Sequence, residues 1–128
     1  NKYPKILRSK FVFLDNIERA ELNSFYKKID LLVLPSDDIL ESFGWVQIEA
    51  MMGGAPCVAT NLPGMRVPIK ETKMGELFEN KNMVDLANKI SLVLKRGKKF
   101  YQRRSENNLN KFNYKKSIRE YEKIFREN

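Results

Sequence analysis

Apolar residues along this chain fall into two patterns that alternate. Short, nearly unbroken runs occur at Lys10–Leu14, at Leu31–Leu34 and at Ala55–Thr60. Each is followed by breakers: Asp15-Asn16, then Pro35-Ser36, then Asn61-Leu62-Pro63-Gly64. Runs of this length without polar alternation predict strands buried on both faces, as in a parallel sheet, with Leu31–Leu34 in its middle. Between the first two, Glu18–Asp30 carries Leu22, Phe25, Tyr26 and Ile29 at a three-and-four spacing, the stripe of a helix with one face in a core. Met83, Leu86, Ala87, Ile90, Val93 and Leu94 repeat that spacing, with Asn82 placed to cap the helix and Gly97 to stop it. A basic helix is predicted from Lys98. Phe112-Asn113-Tyr114 opens a last helix through Ile118, Tyr121 and Phe125, capped by Asn113. Residues 1–10 are polar and basic and show no period. Strands alternating with helices predict an α/β, Rossmann-like parallel sheet, and 128 residues suffice for one domain, 1–128, around one core.

The densest chemistry lies at Glu41-Ser42-Phe43-Gly44-Trp45-Val46-Gln47-Ile48-Glu49-Ala50-Met51-Met52-Gly53-Gly54, between two of the strand-like runs. Strand, loop, helix, strand is the βαβ unit of a parallel sheet, and Gly53-Gly54 ends its helix. Glu41 then falls in the loop at the carboxyl end of a strand. Glu49 falls about one turn into the helix, on the side of Trp45. Ligands bind open α/β sheets at that end. The amides from Phe43 to Val46 open the helix without acceptors inside it and carry the positive end of its dipole, which suits a phosphate. Gly44 allows the backbone to come close to it. Carboxylates accept hydrogen bonds from hydroxyls. Anion-binding amides between two such acceptors suit a ligand with hydroxyls on both sides of a phosphate, as in a nucleotide-sugar.

These residues carry a resemblance. Pro35-Ser36, Glu41-Ser42-Phe43-Gly44, Glu49-Ala50-Met51 and Gly54-Ala55-Pro56-Cys57-Val58-Ala59-Thr60 together resemble the donor-binding region of retaining glycosyltransferases of the GT-B fold, above all family 4. Two Glu eight positions apart occur often by chance; the whole string between two strand-like runs does not. The resemblance spans residues 10 to 125 and the later part of a GT-B C-terminal domain. It implies a nucleotide-sugar donor, with Glu41 orienting the sugar as a hydroxyl acceptor rather than a nucleophile. It further implies Ser42, Phe43, Gly44, Trp45 and Val46 around the phosphates, Glu49 on the ribose hydroxyls, and Asn16 and Ile17 beside the base. Arg66 stands where the family has a glycine-containing loop followed by Glu or Arg; it is read either as part of a plain turn or as a cation reaching the phosphates or the acceptor. Met74-Gly75-Glu76-Leu77 resembles the family's turn into an edge strand. No cofactor and no metal are implied, and Asp37 and Asp38 are read as turn residues. The family's N-terminal acceptor domain, and an earlier donor-domain strand with its Arg and Lys, have no counterpart in these residues. The chain is therefore expected to be a truncated piece or a fragmentary product, inactive alone. The alternative is a non-catalytic nucleotide-sugar-binding or assembly module of the same fold.

Composition narrows the chemistry. No histidine is present, which removes Ser-His and Cys-His nucleophile pairs and most zinc sites. Cys57 is the single cysteine and lies in a strand-like run, so it is read as an inert core thiol. No apolar stretch is long enough to cross a bilayer and no leader pattern opens the sequence, so the expectation is a cytoplasmic chain. The formal charge of +8 is unevenly placed: residues 91–128 hold twelve Lys/Arg against four Asp/Glu, whereas residues 31–60 hold four Asp/Glu and no Lys/Arg. A basic helical tail at about 98–128 is either a solvated face or a surface for anionic lipid, peripheral at the inner face of the membrane. Nucleic acid is not expected, since no binding motif accompanies the charge.

Overall fold

The structure, a computed structural model, describes residues 10–37, 44–106 and 108–112. Five α-helices and three strands follow in order among them: α1 (Arg19–Lys28), β1 (Leu32–Leu34), α2 (Trp45–Met52), β2 (Cys57–Thr60), α3 (Arg66–Thr72), β3 (Gly75–Phe78), α4 (Met83–Arg96) and α5 (Lys98–Ser105), with a 3-10 turn at Leu109–Phe112. The strands form one parallel sheet in the order β1-β2-β3, with Leu32 opposite Cys57 and Cys57 opposite Gly75. This is the α/β, Rossmann-like arrangement the alternating pattern predicts.

The core lies around β2, whose four residues are all buried. Ile48, Ala50 and Met51 of α2 cover it together with Met65, Ile69, Phe78, Val93 and Tyr101. Burying a side chain such as Val58 contributes about 1.5–3 kcal/mol each, so the central strand carries much of the fold's stability. Its apolar run is continuous because both of its faces are covered. Gly75 stands directly across from Cys57, and a Cβ there would run into the Cys57 carbonyl. Helix ends follow the sequence closely. Asn82 caps α4 by accepting from the Asp85 amide at 2.9 Å, and α4 stops at Gly97. The α2 helix closes with Gly54 N–H donating to Met51 O and Ala55 N–H to Ala50 O, a Schellman turn.

Three expectations are corrected. Lys10–Leu14 forms no strand; Val12 and Phe13 are 83% and 91% exposed. An apolar run becomes a strand only where a neighbouring edge pairs with it, and among the described residues β1 is paired on the β2 side alone. Among the described residues β1 is likewise at the edge of the sheet rather than in its middle, and its three residues are only half-buried. On α4, Leu86, Ile90 and Val93 meet the core, but Met83, Ala87 and Leu94 are exposed beside the three-stranded sheet that the described residues form. The basic helix from Lys98 ends at Ser105. The helix expected from Asn113 onward, residues 1–9, Asp38 and the segment Glu41-Ser42-Phe43 lie outside the described residues.

Candidate functional site

In a parallel sheet every strand delivers the chain to the same edge, and the following helix starts there. Here β1 leads to α2, β2 to α3 and β3 to α4, so three helix N-termini gather at the carboxyl edge. Two of the three lack a side-chain cap: neither Gly44 before α2 nor Met65 before α3 supplies one. The third is closed by Asn82, and its Asp85 carboxylate accepts from the Glu79 amide at 2.8 Å. The amides that open α3 are taken up by the turn before it, Arg66 N–H donating to Leu62 O at 2.9 Å and Val67 N–H to Gly64 O at 3.3 Å, so of the two it is α2, opened by glycine, that presents its positive end at the edge.

Gly44 sets the direction of α2. Its φ of 64° is left-handed, and an added Cβ would press on Gln47 Nε2 and Leu34 Cδ2 at 2.9 and 3.0 Å. This turn and its packing are by themselves sufficient reason for glycine, apart from any approach to a phosphate. Trp45 is the first helical residue and largely exposed; Val46 beside it is half-buried. Gln47 points inward, fully buried, and its amide donates to Met65 O at 3.0 Å, tying the start of α2 to the residue before α3. Three buried oxygens at this edge have no partner among the described residues: Gln47 Oε1, Thr60 Oγ1 and Asn61 Oδ1. A buried oxygen without a partner costs about 1–3 kcal/mol, so this edge holds unused hydrogen-bonding capacity. Sequence reading missed all three residues. The signal available was a polar residue, Gln47, inside an otherwise apolar helix face.

Glu49 sits one turn further along α2 and faces α1. Its carboxylate accepts from Tyr26 OH at 3.3 Å. Burial, and then the Glu49 carboxylate, push the Tyr26 hydroxyl above its ordinary pKa. Together they line a groove of about 480 Å³ between the two helices, with Arg19, Leu22, Asn23 and Met52. Ile17 lines a separate groove of about 280 Å³ with Leu14, Phe25 and Lys28; the two grooves share no residue. Asn16 is exposed beside Ile17. Arg66 opens α3, and its guanidinium donates to Asn61 O at 3.2 Å and Leu62 O at 3.3 Å, bracing the turn that leaves β2. Cys57 is fully buried in β2, and burial drives its thiol far above its ordinary pKa, so it stays protonated. Among the described residues no three His, Cys, Asp or Glu side chains gather as metal ligands, and no helix is long and apolar enough to cross a membrane.

A Rossmann-like α/β domain with uncapped helix N-termini over the carboxyl edge of its sheet is a ligand-binding class of structure. Residues 5–111 match the sequence profile of the glycosyl transferases group 1 family, and the chain belongs to that family. Among its relatives, a D-inositol 3-phosphate glycosyltransferase of Mycolicibacterium smegmatis is 34% identical over 90 residues, 70% of this chain and 20% of that protein. One from Geodermatophilus obscurus is 36% identical over 84 residues, 66% of this chain and 18% of the relative. A glycosyltransferase of Methanocaldococcus jannaschii is 35% identical over 88 residues, 69% of this chain and 22% of the relative. The chain spans about a fifth of the length of the curated relatives it matches.

Proposed function

We propose that this chain is the donor-binding part of a retaining, GT-B glycosyltransferase of family 4 and holds a nucleotide-activated sugar at the carboxyl edge of its sheet. The observation that carries this reading is the start of α2. The string Glu-Ser-Phe-Gly leads into a helix whose N-terminus carries no side-chain cap, at the edge where parallel sheets receive ligands. On this reading the amides around Gly44, Trp45 and Val46 take the diphosphate and stabilise the negative charge that grows as it leaves. Glu41 accepts from a sugar hydroxyl and orients the donor. Glu49 accepts from the ribose hydroxyls, and Asn16 and Ile17 flank the base. Arg66 contributes by bracing the β2–α3 turn. No metal or cofactor takes part. The acceptor is bound by a separate N-terminal domain, without which the chain binds donor and does not turn over.

The test is a calorimetric screen of nucleoside diphosphates and nucleotide-sugars against the 128-residue chain, repeated with an upstream acceptor half restored. Binding of one nucleotide series, strengthened when the missing half is present, supports the reading. Absence of nucleotide binding in both forms refutes it.

A further inference from the structure

Among the described residues a cluster of cations lies at the opposite edge of the sheet from the candidate donor site. Helix α5 runs beneath the amino ends of all three strands. Lys98 Nζ donates to Lys27 O and Ile29 O at 2.8 Å each, just before β1. Gln102 donates to Gly54 O at 2.9 Å, just before β2, and Tyr101 OH to Glu76 Oε1 at 2.9 Å, within β3. These bonds fix one face of α5 against the sheet and turn another outward.

That outward face forms a shallow groove of about 490 Å³ lined by Arg96, Lys99, Phe100, Arg103 and Arg104. Four cations and one aromatic ring make up the lining. Glu76 is the one carboxylate paired with it among the described residues, at 3.0 Å from Arg96 and 4.0 Å from Arg104. Lys99 and Arg103, one turn apart, have no ion pair among the described residues. The Phe100 ring is 40% exposed in their midst, with the guanidinium groups of Arg96 and Arg104 over it at 5.0 and 5.5 Å from its centroid.

We propose that this amino-edge face docks on an anionic lipid bilayer, independently of the donor site. Exposed cations on one helix face match a plane of phosphate groups, and their aliphatic stems and the Phe100 edge suit the boundary between headgroup and acyl chain. A single-stranded nucleic acid fits less well, because it stacks bases on open aromatic faces and Phe100 already carries two guanidinium groups. Lys98 takes no part, since its ammonium holds the end of α1. Docking here leaves the carboxyl edge, on the far side of the sheet, open to a nucleotide.

The test is flotation of the 128-residue chain with vesicles of phosphatidylcholine, with or without phosphatidylserine, at low and high salt. Association is expected with the anionic vesicles alone and fades as salt screens the attraction. Each cation removed weakens it about fivefold, so Lys99→Gln/Arg103→Gln weakens it roughly twenty-five-fold with an unchanged circular dichroism spectrum. Nucleoside diphosphate does not compete, which separates this face from the donor site. The proposal is overturned by equal partitioning onto both vesicle types. It is also overturned if Lys115→Gln/Lys116→Gln/Arg119→Gln abolishes association while Lys99→Gln/Arg103→Gln leaves it intact, or if a single-stranded oligonucleotide displaces the chain from the vesicles.

Discussion

Glu49 has two partners to choose between, Tyr26 in the protein and the ribose of a bound nucleotide, and one pair of substitutions separates them. In the structure its carboxylate accepts one long hydrogen bond among the described residues, 3.3 Å from Tyr26 OH. A net hydrogen bond contributes about 0.5–1.5 kcal/mol, and a long one with an exposed acceptor belongs at the lower end. Glu49→Gln keeps an oxygen in the same place, so the chain should lose about 0.5 kcal/mol of stability or less. The effect on binding should be larger. A carboxylate bridging two ribose hydroxyls makes charge-assisted bonds roughly twice as strong as those of an amide, so affinity should fall by about 1–2 kcal/mol, or about 5–30-fold in Kd. Tyr26→Phe is the control. It removes the hydroxyl, lowers stability by about 0.5 kcal/mol, and should leave Kd unchanged. Calorimetry with the tightest nucleoside diphosphate, paired with urea titrations, reads both quantities. The reasoning fails if Tyr26→Phe lowers affinity as much as Glu49→Gln, because Glu49 would then act through the α1–α2 contact. Unchanged affinity in Glu49→Gln removes it from the site altogether.

Gly75→Ala should cost about 2–3 kcal/mol, because the new methyl meets the Cys57 carbonyl of the neighbouring strand rather than a movable side chain; urea titration and faster amide exchange at Val58 and Ala59 check this. Gly44→Ala should cost about 1–2 kcal/mol for a left-handed φ of 64°, read as a lower melting temperature with no ligand present; an unchanged melting temperature would leave close approach of a ligand as the reason for glycine there. The Cys57 thiol, raised in the fold above its ordinary value of 9.0, contributes stability that is complete below the unfolded pKa and is lost as pH rises. Denaturant titrations from pH 8 to 10.5 should therefore show a decline approaching about 1.4 kcal/mol per pH unit above pH 9, and Cys57→Ala should flatten it. Tyr26 and Tyr101, also raised by burial, steepen the fall only from about pH 10 upward.

The order of elements was legible because local chemistry sets it. Asn82 and Gly97 bound α4 where capping and stop residues place them, and the Ala55–Thr60 run is the buried central strand. Lys10–Leu14 was misread because hydrophobicity records a demand for cover, whereas a strand also needs an edge to pair with. Leu31–Leu34 was misplaced in the sheet for a related reason. A run of four leucines and valines looks alike at an edge and at a centre, and only the number of strands beside it decides. At the site, the motif located the carboxyl edge and the start of α2. It gave no sign that Gln47 would turn inward to Met65 O, or that Arg66 would be held by the carbonyls of Asn61 and Leu62. Those are contacts across the gap between two helix starts, and no spacing within one helix encodes them.

The two edges of the sheet divide the labour of the charges. In sequence, residues 31–60 hold four carboxylates and no cation, and from the same stretch comes α2, whose N-terminus lies at the carboxyl edge. Helix dipoles there can bind a diphosphate without lysine or arginine in the same stretch, and carboxylates beside them remain free to accept from hydroxyls. Cations in that stretch would pair with Glu49 and compete for it. Four cations, Lys98, Lys99, Arg103 and Arg104, lie on α5 beneath the amino ends of the strands, and Glu76 is the one acidic group paired with Arg104 and the neighbouring Arg96 among the described residues. Loss of Lys99 and Arg103 should therefore leave nucleotide binding intact, and loss of Glu49 should leave lipid association intact.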